Sequence, residues 1–372
     1  MPPTTIKGFM IRWGAIITGV AVGILAPVLV KLGNPGNMGI CVVCFTRDTA
    51  GALGLHQASV VQYIRPEIIG LVIGALIAAL AFREFKPRTG SSPFVRFFLG
   101  IFAAFGGLVF LGCPWRAYLR LGGGDGNAIF GIIGLVVGIV MGIGFLKSGF
   151  SLGRNRPAPK AMGWVMPVVM FTLLALLLVG PQFGRDADGN LIGPIFFSAS
   201  GPGSQHARIF IALGVGLLVG FLAQRSRFCT VGAIRDSIML RDNYLLKGVI
   251  ALIVAAIITN LALGQFNPGF ENQPVAHTNE LWNIMGMVLA GLAFTLAGGC
   301  PGRQFFLTGE GDGDAAVFVT GMLVGTALAH NFGMASSGSG PGLYGPAITI
   351  IGIVVCIIIG LTMRDRKLGG VL

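Results

Sequence analysis

Six cysteines occur in the chain, and five of them sit in two motifs that each appear twice, four at matching positions. Cys41-Val-Val-Cys44-Phe-Thr-Arg47-Asp48 is matched downstream by Cys229-Thr-Val-Gly-Ala-Ile-Arg235-Asp236. Gly112-Cys113-Pro114-Trp115-Arg116 is matched by Gly299-Cys300-Pro301-Gly302-Arg303, and Asp125-Gly126-Asn127-Ala128 by Asp312-Gly313-Asp314-Ala315. Proline suits the first position of a helix, where its missing N–H is no loss. Cys113 and Cys300 are therefore expected at helix N-caps, beside free amides and the positive end of a helix dipole, a place that favours anions. Thiols are polarizable and only weak donors. Recurring at equivalent places in two copies, beside charge, the four matched cysteines are expected to line a pathway. Whether thiol or thiolate is present stays open at this level.

The charges of the motifs have two readings. Arg116 and Arg303 fall on the first turn of their helices, and Asp125 and Asp312 follow at equal spacing, so Arg116–Asp125 and Arg303–Asp312 are candidate buried pairs. Arg47, Asp48, Arg235 and Asp236 belong to the same class. They either pin the motif segments or attract an anion, and pinning is the favoured role. Cys44 is a less secure pathway residue, because Gly232 stands at its matching position. Its Cys-x2-Cys spacing with Cys41 is a weak metal or redox signal. Cys356 lies mid-span without motif neighbours and reads as a small hydrophobe. His56, His206, His277 and His330 are scattered, with no carboxylate cluster beside them, so neither a metal site nor a cofactor is expected.

The elements that must position these residues are membrane spans. Of 372 residues, 54% are hydrophobic and only 11% charged, against about 25% charged in a soluble domain. The mean hydropathy is +0.82. The 60 glycines are about twice the usual share, as close helix packing in lipid requires; Gly134, Gly138 and Gly142, Gly216 with Gly220, and Gly321 with Gly325 read as packing faces. Apolar stretches near 20 residues fall at 10–32, 64–82, 94–112, 127–146, 162–181, 207–223, 246–264, 282–298, 315–333 and 346–363. The run from Phe9 to Val30 is too long for the apolar core of a signal peptide.

The net charge of +12 is spread between spans rather than gathered for nucleic acid. With the N-terminus in the cytoplasm, most Lys and Arg residues fall in cytoplasmic segments, including 147–161, whereas loops 265–280 and 334–345 outside carry none. Both termini are expected in the cytoplasm. No Gly-x4-Gly-Lys-[Ser/Thr] loop is present, so any ATP drive would come from another protein.

Motifs recurring in one order at nearly constant offset mark a duplication. Each copy holds five spans, an odd number, so the second must lie upside down, with the substrate site where the copies meet. The expected fold is all-α and integral to the membrane: about ten transmembrane helices, four short re-entrant helices and two inverted repeats forming an hourglass. The first repeat covers 1–190, with re-entrant segments near 40–55 and 113–121. The second covers 191–372, with such segments near 229–240 and 300–309. Non-helical backbone at that depth is tolerated only where protein buries it or it lines a polar cavity.

The paired cysteine segments, the two Gly-Cys-Pro-x-Arg motifs and Arg225-Ser-Arg-Phe-Cys229 resemble the YeeE/YedE family of sulphur-transport membrane proteins across essentially the whole chain. The length and the Cys41–Cys44 segment look most like the YedE branch, associated with selenium metabolism. The resemblance implies a bacterial or archaeal inner-membrane transporter, not an enzyme. Its substrate would be thiosulfate or a selenium compound, passing a central constriction lined by Cys41, Cys113, Cys229 and Cys300. A cytoplasmic sulphur- or selenium-carrier protein is a candidate partner. Two rivals remain: a membrane thiol oxidoreductase or sulphurtransferase, supported by Cys41–Cys44, and a soft-metal cation transporter using the same thiols.

Overall fold

A computed structural model describes residues 6–180 and 195–364. The expected repeat boundary at 190/191, with Arg185, Arg366 and Lys367, lies outside the described residues. In chain order the helices are α1 (Ile6–Lys31), α2 (Val42–Ala52), α3 (Pro66–Ala81), α4 (Pro93–Phe110), α5 (Pro114–Gly122), α6 (Asn127–Lys147) and α7 (Lys160–Val179). They continue with α8 (Ile209–Ser226), α9 (Thr230–Met239), α10 (Tyr244–Ala262), α11 (Glu280–Leu296), α12 (Pro301–Gly309), α13 (Gly313–Asn331) and α14 (Gly345–Thr362). A two-residue antiparallel ladder, β1 (Arg88–Thr89) with β2 (Arg156–Pro157), joins two loops.

A helix stands over each of the ten apolar stretches. Among the described residues nine of these, some run together with the short helix that follows, are long and apolar enough to cross a membrane. The tenth, α3, has 16 residues, about 24 Å at 1.5 Å per residue, short of a full hydrocarbon core. The chain is thus an all-helical, multi-pass membrane protein. The four segments expected to be bent carry the short helices α2, α5, α9 and α12, each between two long ones.

Long helices from the two halves lie directly on one another. Helix α3 packs along α8 as α10 packs along α1, and α6 along α11 as α13 packs along α4. The short helices follow suit, α12 on α3 and α5 on α10. Glycine makes these seams possible. A Cβ on Gly74 would run into the Leu217 carbonyl, one on Gly220 into that of Leu71, and one on Gly19 into that of Gly248. Gly134 and Gly138 stand in the same way against the carbonyls of Ile284 and Val288, and Gly321 against that of Phe97. With little to gain from apolar burial between helices in lipid, backbone approach of this kind supplies the association. Gly220→Ile should cost roughly 1–3 kcal/mol through overpacking. A thermal unfolding midpoint in detergent equal to that of the parent would contradict it.

Candidate functional site

Each short helix begins one residue after a motif cysteine. Cys41, Cys113, Cys229 and Cys300 are the N-caps of α2, α5, α9 and α12, as expected for Cys113 and Cys300. In three of them the sulfur takes the role of a serine oxygen. The amide of Cys44 donates to Cys41 Sγ at 3.4 Å, that of Gly232 to Cys229 Sγ at 3.2 Å, and that of Arg303 to Cys300 Sγ at 3.4 Å. Cys113 makes no cap bond; its thiol lies against that of Cys41.

The caps come together in pairs. Cys41 meets Cys113, and Cys229 meets Cys300, whose backbone amide also donates to Cys229 Sγ at 3.3 Å. Four of these five motif cysteines, Cys44 among them, are fully buried; Cys229 is 5% exposed. None of the cysteines is in a disulfide. Arg116 Nη1 lies 3.9 Å from Cys44 Sγ, which sets a guanidinium beside the first pair. Cys356 is buried within α14, a small apolar group as read from its position.

The Gly-Cys-Pro-x-Arg spacing has a local cause. Helix α4 ends at Leu111 in the left-handed region (φ 62°), and α11 is followed by Gly298 in the same region (φ 92°). The chain then turns through Gly112 or Gly299 into Cys-Pro. The arginine at the third helical position folds its stem back over that glycine: a Cβ on Gly112 would stand 3.2 Å from Arg116 Cδ, and one on Gly299 3.1 Å from Arg303 Cγ.

Neither expected arginine–aspartate pair forms, and the fold-back is the reason for Arg116 alone. Arg116 does not meet Asp125. It turns toward the start of α5, donating from Nε to the Asn37 carbonyl at 3.2 Å, from Nη1 to that of Leu111, and from Nη2 to Pro274 at 3.2 Å and Val275 at 3.0 Å. Asp125 lies past the other end of α5, where Arg120 Nε reaches it at 2.6 Å and the Asn127 amide at 2.9 Å. Arg303 likewise does not meet Asp312. Asp312 caps α13 through the Ala315 amide and takes Arg88 Nε at 2.6 Å, while Arg303 runs along α12 to Glu310 at 3.2 Å.

The other charged motif residues do pair. Asp48 accepts Arg47 Nε at 2.8 Å on one oxygen and Arg65 Nε at 2.7 Å on the other. Arg65 in turn donates to the carbonyls of Pro202 and Gln205. Arg235 Nε meets Asp236 at 2.8 Å.

The halves differ in exposure. Arg47, Arg65, Arg116 and Arg120 are buried, whereas the side chains of Arg235 and Arg227 are 27% and 46% exposed. On that rim Glu84 receives Gln224, Arg225 and Arg227, and Glu310 receives Arg227 and Arg303. Burial raises the Glu84 carboxyl, but the Gln224 and Arg225 hydrogen bonds and the neighbouring arginine charges outweigh it and hold it below the usual range.

Several residues carry no signal in the sequence. Arg65, Arg120 and Glu310 belong to no repeated motif, although Arg120 follows Arg116 by one helical turn. His56 and His330 stack at 4.7 Å despite their separation in the chain. Among the described residues no group of three or more His, Cys, Asp or Glu side chains is arranged to hold a metal. Trp115, fully buried, reaches from α5 to Phe228 at 5.6 Å and Phe306 at 5.9 Å between ring centroids.

Comparison with known proteins matches the chain to a family model described as sulphur transport, over residues 3–113 and 225–361. The matched segments contain all four N-cap cysteines. A stretch of 108 residues is 35% identical to the thiosulfate transporter TsuA of Spirochaeta thermophila, covering 28% of this chain and 31% of that protein. Another comparison gives 31% identity over 107 residues to TsuA of Escherichia coli, 29% and 30% of the two chains. The matched parts thus span under a third of those relatives.

Proposed function

The chain belongs to the sulphur transport family, and from that premise we propose that it moves a small sulphur-containing anion of the thiosulfate type across the inner membrane of a prokaryotic cell. Its path runs past Cys41, Cys113, Cys229 and Cys300, with Cys44 at the side of the first pair. The observation that carries this reading is the pairing of thiols at the N-termini of four short helices. Amide dipoles, with the Arg116 guanidinium beside the first pair, draw an anion to such a spot, and sulfur contacts hold its soft end loosely.

The two halves, 1–190 and 191–372, are proposed as inverted repeats. The reciprocal packing of α3 on α8 with α10 on α1, and of α6 on α11 with α13 on α4, supports a two-fold axis between them. Helices α2 and α5 would then enter from outside and α9 and α12 from the cytoplasm, meeting as an hourglass, with both termini cytoplasmic. Arg47, Asp48, Arg116 and Asp125 serve chiefly as pins. Arg235, Asp236, Arg303 and Asp312 lie nearer a charged mouth that would collect or release the ion. A selenium species, and delivery to a cytoplasmic sulphur or selenium carrier, are finer forms of the same reading. The soft-metal alternative is less well supported, since an arginine approaches Cys44.

Vesicles containing the purified protein should accumulate labelled thiosulfate, with sulphite a poorer substrate. Selenide or selenite outrunning thiosulfate would move the assignment to selenium. Thiosulfate and selenium uptake no faster than in empty vesicles would end the proposal.

A further inference from the structure

The two Gly-Cys-Pro-x-Arg motifs differ at one position, Trp115 in the first and Gly302 in the second. Each is the second residue of its helix, two residues beyond a thiol. The indole occupies the room that the glycine leaves. A Cβ on Gly302 would stand 3.0 Å from Trp115 Cε2 and Cζ2, and 3.2 Å from Nε1. On its flanks are the ring of Phe228, which precedes Cys229, and that of Phe306 on α12. Trp115 therefore bridges from the Cys41–Cys113 pair to the Cys229–Cys300 pair. Across a two-fold axis only one such ring fits, and a second tryptophan at 302 would collide with it.

The indole is also unfinished as a hydrogen-bonding group. Trp115 is 0% exposed, and its Nε1–H has no acceptor. Buried tryptophan N–H groups usually find a partner, and leaving one unpaired is costly. Indole nitrogen only donates, so the partner it lacks must be an acceptor.

We propose that Trp115 is the gate of the passage and its oxyanion donor: the ring closes the gap between the thiol pairs, and Nε1–H binds an oxygen of the anion in transit. This rests on the transport reading above. An oxyanion with a soft terminal atom satisfies both halves of the site, its soft end on the sulfurs and an oxygen on the indole. Sulfate, which has no soft end, gains only the second contact.

Two variants of the full chain in vesicles separate the roles. Trp115→Phe keeps the bulk and loses the N–H. It should stay tight to labelled sulfate while its KM for thiosulfate rises at least about ten-fold, the effect of one hydrogen bond to a charged group. Trp115→Gly makes the two motifs identical and should admit sulfate several-fold faster than the parent, with discrimination between sulfate and thiosulfate falling. An unchanged KM in Trp115→Phe overturns the donor role, and Trp115→Gly vesicles as tight to sulfate as the parent overturn the gate. Should the parent move no thiosulfate, the proposed function fails, and the sulfate leak of Trp115→Gly still decides whether the ring is a gate. The phenylalanine variant preserves the aromatic contacts, so the donor test survives if the glycine variant does not fold.

Discussion

Serine at both Cys113 and Cys300 is expected to reduce thiosulfate uptake by at least about 100-fold, taking each sulfur contact as worth about 1.4 kcal/mol at the barrier. The substitution is a demanding test because serine is among the best N-cap residues. Helices α5 and α12 should therefore start where they do now, with Arg116 and Arg303 placed as before, and only the soft, polarizable atom is lost. Cys300 Sγ already accepts the Arg303 amide, and a serine oxygen can take that bond over. A folded, monodisperse double variant that transports at the parental rate would remove sulfur from the mechanism. Cys356→Ala, on α14 away from the caps, should leave uptake unchanged.

The second large effect concerns stability. Asp48→Ala should lower the free energy of unfolding by about 3–5 kcal/mol, the usual cost of removing one member of a buried ion pair. Asp48 has no exposure and faces two guanidinium groups, those of Arg47 and Arg65, exposed by only 2% and 0%. Without the carboxylate, two buried positive charges of the same region would face each other. The equivalent change in the second half, Asp236→Ala, should cost no more than about 1 kcal/mol, because Arg235 is 27% exposed and water can replace its partner. Unfolding in denaturant measures both. Equal losses at the two positions would contradict the difference in burial between the halves.

The helices were legible because lipid imposes a simple rule: a crossing segment must satisfy its own backbone, so apolar length alone locates it. Only α3 departs, its helix beginning at Pro66 and ending after 16 residues. The N-caps at Cys113 and Cys300 were legible from the following proline. Those at Cys41 and Cys229, which lack it, had only the repeat to mark them. The arginine partners were not legible, because spacing along a helix does not say toward which end a long side chain turns. Arg116 turns toward the start of α5, where Gly112 makes room, and Arg120 is left to meet Asp125. Glu84 and Glu310 gather arginines from distant segments, a product of packing with no local mark. The mismatch of Trp115 with Gly302 was visible in the aligned motifs, but its meaning needed the third dimension.

The glycine seams carry a mechanical consequence. Where Gly74, Gly220, Gly19 and Gly134 bring main chain onto main chain, no cushion of side chains remains to shear, so a rocking of one half against the other would have to unzip several rigid ribs at once. The frame is built to stand still. In the proposed transport, movement would then fall to the small parts it encloses, single rings and two- or three-turn helices, the action of a turnstile rather than a hinge.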